Sequence, residues 1–314
     1  MSRGVAERAG RLLGGLCLGG SAVLAWSLVE ARSPVLRRVD VPVLEPGEAP
    51  LRLLHLSDLH LTARSTAERD WVAGLAALEP DLTVVTGDML AGADAIPTVV
   101  EALGGLLERP GAFVLGSNDY HAPTVRNPLR YFMGPSRIDR PAVLLPTDDL
   151  VDALTGAGWL DLTNTRGRLE TAGRILRLVG VDDPHIGRDR MPEPESRGRH
   201  APDAGGLRVG VAHAPYLRVL DAMTDDGSAL VLAGHTHGGQ VCLPGHGALV
   251  TNCDLPTAYA KGLFAWESSR PSEDGGSRAS SWVHVSAGLG TSPYTPVRLA
   301  CRPEATLLRL VPRP

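Results

Sequence analysis

The chain has 314 residues, 43% of them hydrophobic, a formal net charge of −4 and four cysteines. This is enough apolar material for one sizeable core, and the acidic balance excludes nucleic-acid binding by bulk charge, so no nucleic-acid partner is indicated. Cysteines without Cys-x-x-Cys spacing exclude both a dense disulfide framework and a thiolate cage, although a Cys242–Cys253 pair stays open if the chain is exported.

At the N-terminus, Leu12 to Val29 carries no charge and follows Arg3, Arg8 and Arg11. As a helix it would extend about 27 Å, against a hydrocarbon core of roughly 30 Å. Residues 1–30 therefore read as a hydrophobic segment, a single-pass anchor that makes the protein membrane-associated, with a cleaved signal peptide as the competing reading. Arg32, Arg37 and Arg38 beyond the stretch balance the basic residues before it, so the side of the membrane is not assigned. Residues 31–50 read as a linker to a domain over 51–314.

Within that domain one pattern recurs in chain order. Leu51–Leu56 runs into Ser57-Asp58-Leu59-His60, and Asp81–Thr86 into Gly87-Asp88. Ala112–Leu115 runs into Gly116-Ser117-Asn118-Asp119, and Leu207–Ala212 into His213-Ala214-Pro215. Ala229–Ala233 runs into Gly234-His235-Thr236-His237-Gly238-Gly239-Gln240. Each apolar run suits a buried strand, and each stops at a small residue followed by Asp, Asn or His. Singly these are ordinary: an aspartate after a strand is more often a helix cap, and Asn-Asp a turn former. Five in a row are another matter, because ligands of open α/β sheets gather beyond the carboxyl ends of strands. His185, in Val181-Asp-Asp-Pro-His185, lies at another such end and is a candidate for lining a substrate cleft, whereas His55 inside the first strand reads as a hydrogen-bonded core residue. Two tracts, about 186–206 and 267–281, read as surface loops.

Carboxylate, imidazole and amide donors without thiolate suit divalent Mn, Fe or Zn. Two such ions about 3.5–4 Å apart would repel by on the order of 20 kcal/mol at an effective dielectric near 20, so a site for two divalent metal ions needs anionic bridges. Asp88, alone after a glycine, is the natural shared carboxylate. A shared hydroxide, generated because metal binding lowers the pKa of water, would be the nucleophile.

Asp58-Leu-His60, Gly87-Asp88, the Gly116–Asp119 turn, His213 and Gly234-His-Thr-His237 resemble, in order and spacing, the calcineurin-like metallophosphoesterase superfamily. The extension through Gly238-Gly239-Gln240, with Val285–Gly290 and Pro296-Val-Arg-Leu299, is similar to its bacterial, membrane-associated phosphodiesterase branch. The resemblance implies an α/β fold, a four-layer α/β/β/α sandwich, here preceded by the N-terminal hydrophobic helix. It also implies that Asp58, His60 and His237 hold one metal, that Asp88 bridges, and that an asparagine, His213 and His235 hold the other.

One departure matters. The family's third motif reads Gly-Asn-His-Asp, and this chain has Gly116-Ser117-Asn118-Asp119. Either Ser117 replaces the ligand asparagine, or the turn is shifted by one residue and Asn118 remains the ligand. The second alternative is favoured because an amide oxygen is the better neutral donor to a dication. The family's assisting histidine is missing in both, leaving Asp119 or His121 as candidate proton donors. The expected activity is hydrolysis of a phosphoester, a lipid-linked or envelope-derived diester if the anchor holds. The alternative is a membrane-tethered binding protein of the same fold with reduced or lost turnover.

Overall fold

The computed structural model describes residues 18–125, 134–136, 142–193, 206–271 and 277–314. Short runs of leucine and β-branched residues make its central strands. Every residue of β3 (Leu82–Thr86), β4 (Gly111–Val114) and β9 (Leu230–Ala233) is buried, the pattern of strands covered on both faces. One six-stranded sheet runs β1 (Val35–Leu44), β14 (Glu304–Pro312), β2 (Leu51–Leu56), β3, β4, β5 (Leu160–Asp161). The other runs β12 (Gly262–Glu267), β13 (Ser280–Val285), β9, β8 (Leu207–Val211), β7 (Arg174–Gly180), β6 (Arg166–Thr171). A small hairpin of β10 (Cys242–Leu243) and β11 (Gly247–Ala248) stands apart.

The sheets face one another across a core in which Leu53, Val84 and Val114 meet Leu178, Val209 and Leu232. Helices α2 (Thr66–Ala73), α3 (Ile96–Leu103) and α5 (Thr147–Gly156) cover the first sheet, where Val72, Val99 and Leu150 pack with Leu54, Val85 and Phe113. Helix α6 (Leu217–Asp225) covers the second through Val219 and Leu220. The layers are thus helix, sheet, sheet, helix. His55 sits in the seam, with its Nδ1 2.8 Å from Nδ1 of His284 and its Nε2 3.0 Å from the Thr86 hydroxyl. Burial holds both rings neutral, His55 well below its ordinary pKa and His284 at about 3.

Topology decides where the chemistry lands. Strands β2, β3 and β4 run parallel, and so do β7, β8, β9 and β13. All the Asp-, Asn- and His-bearing turns therefore leave from one end of their sheets.

Two expectations concern the N-terminal region. The residues described from 18 onward form helix α1 over 18–30, and among the described residues no helix is long and apolar enough to cross a membrane. The first part of the uncharged stretch, up to residue 17, lies outside the described residues. The segment 31–50, expected as a linker, contains β1, which pairs in parallel with β14 along Val35–Leu44. The sequence signal was weak because β1 lies at a sheet edge, with Arg37, Arg38 and Asp40 exposed and only its end, from Val41, largely buried. The parts of the two loop tracts at 194–205 and 272–276 likewise lie outside the described residues. Cys242 and Cys253 are both free thiols, so the conditional pairing between them is not formed.

Because Val41, Val43 and Leu44 are at most 4% exposed, deleting residues 1–45 would remove about 5–8 kcal/mol of apolar burial, comparable with the whole stability of a domain. The truncated chain is expected to aggregate or to melt far below the full chain in a circular-dichroism thermal scan. An unchanged melting temperature would show β1 to be dispensable.

Candidate metal centre

The turns after the strands are tight, and their backbones are strained. Asp58, His60, Asp88, His235 and His237 all have φ between 44° and 69°, a left-handed region that costs a non-glycine residue on the order of 1 kcal/mol or more. Such conformations persist only where the surroundings enforce them. Two glycines permit the crowding. A Cβ on Gly234 would lie 1.7 Å from the Ser57 hydroxyl, and one on Gly116 would lie 2.3 Å from Oδ1 of Asp88.

Asp88 is the hub. Its Oδ2 is 3.5 Å from Nε2 of His60 and 3.6 Å from Nε2 of His213. Asn118 donates from its backbone to Oδ1 at 2.8 Å and from its side chain to Oδ2 at 2.7 Å. On one side, His60 and His237 point their Nε2 atoms at each other across 3.2 Å, and Nε2 of His237 is 3.6 Å from Oδ1 of Asp58. On the other, Nδ1 of His235 is 3.3 Å from Nε2 of His213. The ligand atoms of Asp58, His60 and His237 all lie within 4.8 Å of one another, as do those of Asp58, Asp88 and His213.

The far nitrogens of the histidines test whether the cluster fits a cation. Nδ1 of His213 lies 2.7 Å from the Thr86 carbonyl, Nε2 of His235 3.2 Å from that of Asn252, and Nδ1 of His237 3.2 Å from that of Gly290. A carbonyl can only accept, so at His213 and His235 these nitrogens carry the proton and leave the other nitrogen facing inward, while Nδ1 of His237 lies 3.2 Å from the Arg298 Nη2 as well. Histidines that ligate metals are held in this way. His60 is the exception, its Nδ1 buried without a partner. The donor set therefore fits divalent cations.

Charge follows the same geometry. Burial works against ionisation of Asp88, but the His213 and His60 charges and the Asn118 donors outweigh it, holding the carboxyl well below its usual range. Burial likewise opposes charge on His213, yet Asp88, Asp183 and Asp58 carry its pKa up to about 10. His237, dominated by burial, falls to about 4.

Asp119 does not suit the role of proton donor. Burial and the Asp88 charge raise its pKa to about 7, which alone would suit an acid. But the side chain is fully buried and both oxygens are engaged: Oδ2 accepts the N–H groups of Asp88 and Gly116, and Oδ1 those of Met89 and Leu90. Asp119 is the clasp that holds the strained Asp88 turn. Its fellow candidate, His121, closes α4 (Ser117–Tyr120) and bridges in its backbone to Leu144, with its ring beside Tyr120.

His185 lies beside the centre. Its ring centroid lies 4.4 Å from that of His235, its Nδ1 3.1 Å from the Tyr216 hydroxyl and its Nε2 3.0 Å from the Ser136 hydroxyl. Three participants escaped the sequence reading. Asp183 is buried, carries a pKa raised to about 7 chiefly by burial, and takes the His185 N–H on Oδ1 at 2.7 Å. Tyr216 and Asn252 stand on turns with no pattern of their own. Only Asp183, doubled with Asp182 after a strand, carried a usable signal.

Comparison with known proteins gives the family of the chain. The family profile for calcineurin-like phosphoesterases matches residues 51–239, and the chain belongs to that family. A bovine (Bos taurus) transmembrane protein with metallophosphoesterase domain is 30% identical over 90% of this chain and 59% of its own length; this chain thus spans well under two thirds of that relative. The phosphodiesterase YaeI of Escherichia coli K12 is 27% identical over 84% of this chain and 83% of its own. Among solved structures, a 5′-nucleotidase precursor from Thermus thermophilus superposes with a TM-score of 0.42 at 16% identity, covering 83% of this chain and 55% of its own.

Replacing Asp119 with Ala would orphan four buried N–H groups, and the unfolding free energy in urea is expected to fall by about 3 kcal/mol or more. Wild-type stability in D119A, coupled with loss of one limb of the pH–rate profile, would restore Asp119 as a proton donor.

Proposed function

We propose that this calcineurin-like phosphoesterase is a dinuclear-metal phosphoester hydrolase, and specifically a phosphodiesterase that works beside a membrane. The observation that carries the reading is the pair of inward-facing histidine sets on either side of one shared carboxylate, Asp88. Asp58, His60 and His237 would hold the first ion, Asp88 both, and Asn118, His213 and His235 the second, the ions being Mn, Fe or Zn. Asn118, whose amide touches Asp88, is preferred to Ser117 as the amide ligand. The bound ions would supply Lewis acidity toward the phosphoryl oxygens and a water activated near neutral pH.

The chain's own residues do the rest. Asp119 and the Gly87 and Gly116 turns keep Asp88 aimed. His185, oriented by Tyr216 and Asp183, would hold the substrate beside His235. With Asp119 committed to the backbone, His121 is the remaining candidate for protonating the leaving group. Membrane action is supported by α1, where Leu18, Val23, Leu24, Trp26, Leu28 and Val29 are exposed, and by the name of the bovine relative. That placement, and the name of the E. coli relative, favour a lipid-linked or envelope-derived phosphodiester as substrate.

The full chain with added Mn²⁺ is expected to hydrolyse bis(p-nitrophenyl) phosphate, with D88N and H235A abolishing turnover. Full metal occupancy without hydrolysis of any mono- or diester would sink the hydrolase reading and favour a binding protein. In the same assay N118A should weaken the second metal more than S117A; the reverse order would establish the gap-free alignment of the third motif.

A second expectation concerns protons. With a pKa of about 10 in the metal-free protein, His213 must lose its proton to become a ligand. The second ion's affinity should then rise about tenfold per pH unit below that value, with proton release visible by calorimetry in buffers of different ionisation enthalpy. An affinity flat between pH 6 and 9 would contradict the charge assignment.

A further inference from the structure

Arg298, in the C-terminal Pro296–Leu299 motif, is fully buried, and burial lowers its pKa. A guanidinium is costly to take out of water, and this one hydrogen-bonds to carbonyls in place of a carboxylate. Its Nη2 donates to the Gly290 carbonyl at 2.7 Å and the Gly288 carbonyl at 3.2 Å, and its Nη1 to the His237 carbonyl at 3.3 Å. The Gly290 carbonyl and the Arg298 Nη2 each lie 3.2 Å from Nδ1 of His237. The guanidinium therefore touches the backbone of His237, its ring and the carbonyl beside that ring. The planar fork of arginine suits that task; a flexible ammonium does not.

The turn bearing Arg298 is held in its own right by the N-terminal helix. The Arg298 N–H donates to the Ser27 carbonyl at 3.0 Å. Buried Glu30 takes the Ala300 N–H at 3.1 Å and the Cys301 N–H at 2.7 Å, while the Trp26 indole donates to the same carboxylate at 3.0 Å. Ala300 has φ 51°, a strained conformation for alanine that these bonds enforce. The last turn of α1 thus holds the 298–301 turn through Ser27 and Glu30, and that turn carries Arg298, whose guanidinium reaches His237.

We propose that Glu30 and Arg298 are positioning residues for the first metal, so that helix α1 is a working part of the metal centre as well as its attachment. The inference rests on the dinuclear reading above and goes beyond it, because it assigns a catalytic-domain task to a segment outside every metal motif.

The test is metal binding by the full chain in detergent micelles, measured by calorimetric titration of Mn²⁺ into metal-free protein. D58N and H213A assign the first and second binding steps. Loss of an outer partner of a ligating histidine typically costs 10–100-fold in metal affinity. E30A and R298K should therefore each weaken the first step about tenfold or more while the second stays within about threefold. R298K keeps the charge, so its effect reports geometry. E30Q keeps an acceptor oxygen and should recover most of the loss. Equal weakening of both steps, or no weakening while the metal-free melting temperature drops, would make both residues mere supports of the fold and overturn the proposal. Failure of the wild type to bind two ions would bring down the dinuclear reading itself, an outcome distinguishable before any variant is compared.

Discussion

A carboxylate with almost no exposure to water stays ionised only if its surroundings replace hydration, and everything in this molecule's centre is arranged around that demand at Asp88. Imidazoles from two other turns and the amide of Asn118 approach its oxygens. In the metal-free protein His213 answers the charge by holding a proton. That is the reason a divalent ion suits the place: it supplies the compensation that a proton otherwise provides, and releases it. Asp58, also buried, accepts hydrogen bonds from the Ser57 hydroxyl at 2.5 Å and the His235 N–H at 3.0 Å.

Holding these groups close imposes backbone conformations that their residue types disfavour. Five of the candidate ligands occupy the left-handed region, and each must be secured from outside. The Asp119 clasp secures Asp88. The carbonyls of Thr86, Asn252 and Gly290 secure the imidazoles. A conformationally costly centre is thus supported by ordinary hydrogen bonds on well-packed strands, the pattern by which strain is stored at functional sites. The two hydrophobic layers that flank the inner core make the strand ends stiff enough to bear it.

The N-terminal region shares in this support. An edge strand in parallel register with β14 and a helix whose last acidic residue caps the 300–301 turn leave little slack between the start of the folded body and the metal centre. The site is therefore held in fixed orientation to helix α1. Close by, Cys301 lies against Lys261, the chain's only lysine, at 3.6 Å, and donates to the His237 carbonyl at 3.3 Å. Packing around the His237 turn is therefore dense on both sides.

The strands and the order of the metal motifs were legible because each is local: an apolar run, a small residue, then a ligand. Parallel strands then bring such turns to one end, so Asp58, His60, Asp88, His213, His235 and His237 stood out from the repeated pattern, and their division between two ions came with the family resemblance. What the chain order could not supply were contacts made at long range. Asp119 looks in sequence like an acid beside a vacancy left by the missing histidine; only folding brings four N–H groups from two turns onto its oxygens. Residues 35–44 look like a linker because charged Arg37, Arg38 and Asp40 face water on an edge strand, and their partner strand lies at the other end of the chain. Glu30 and Arg298 carry no local pattern linking them, since a hydrogen bond across such a separation leaves no periodicity. Local chemistry was written in the sequence; which groups are already engaged, and by whom, was decided by tertiary packing.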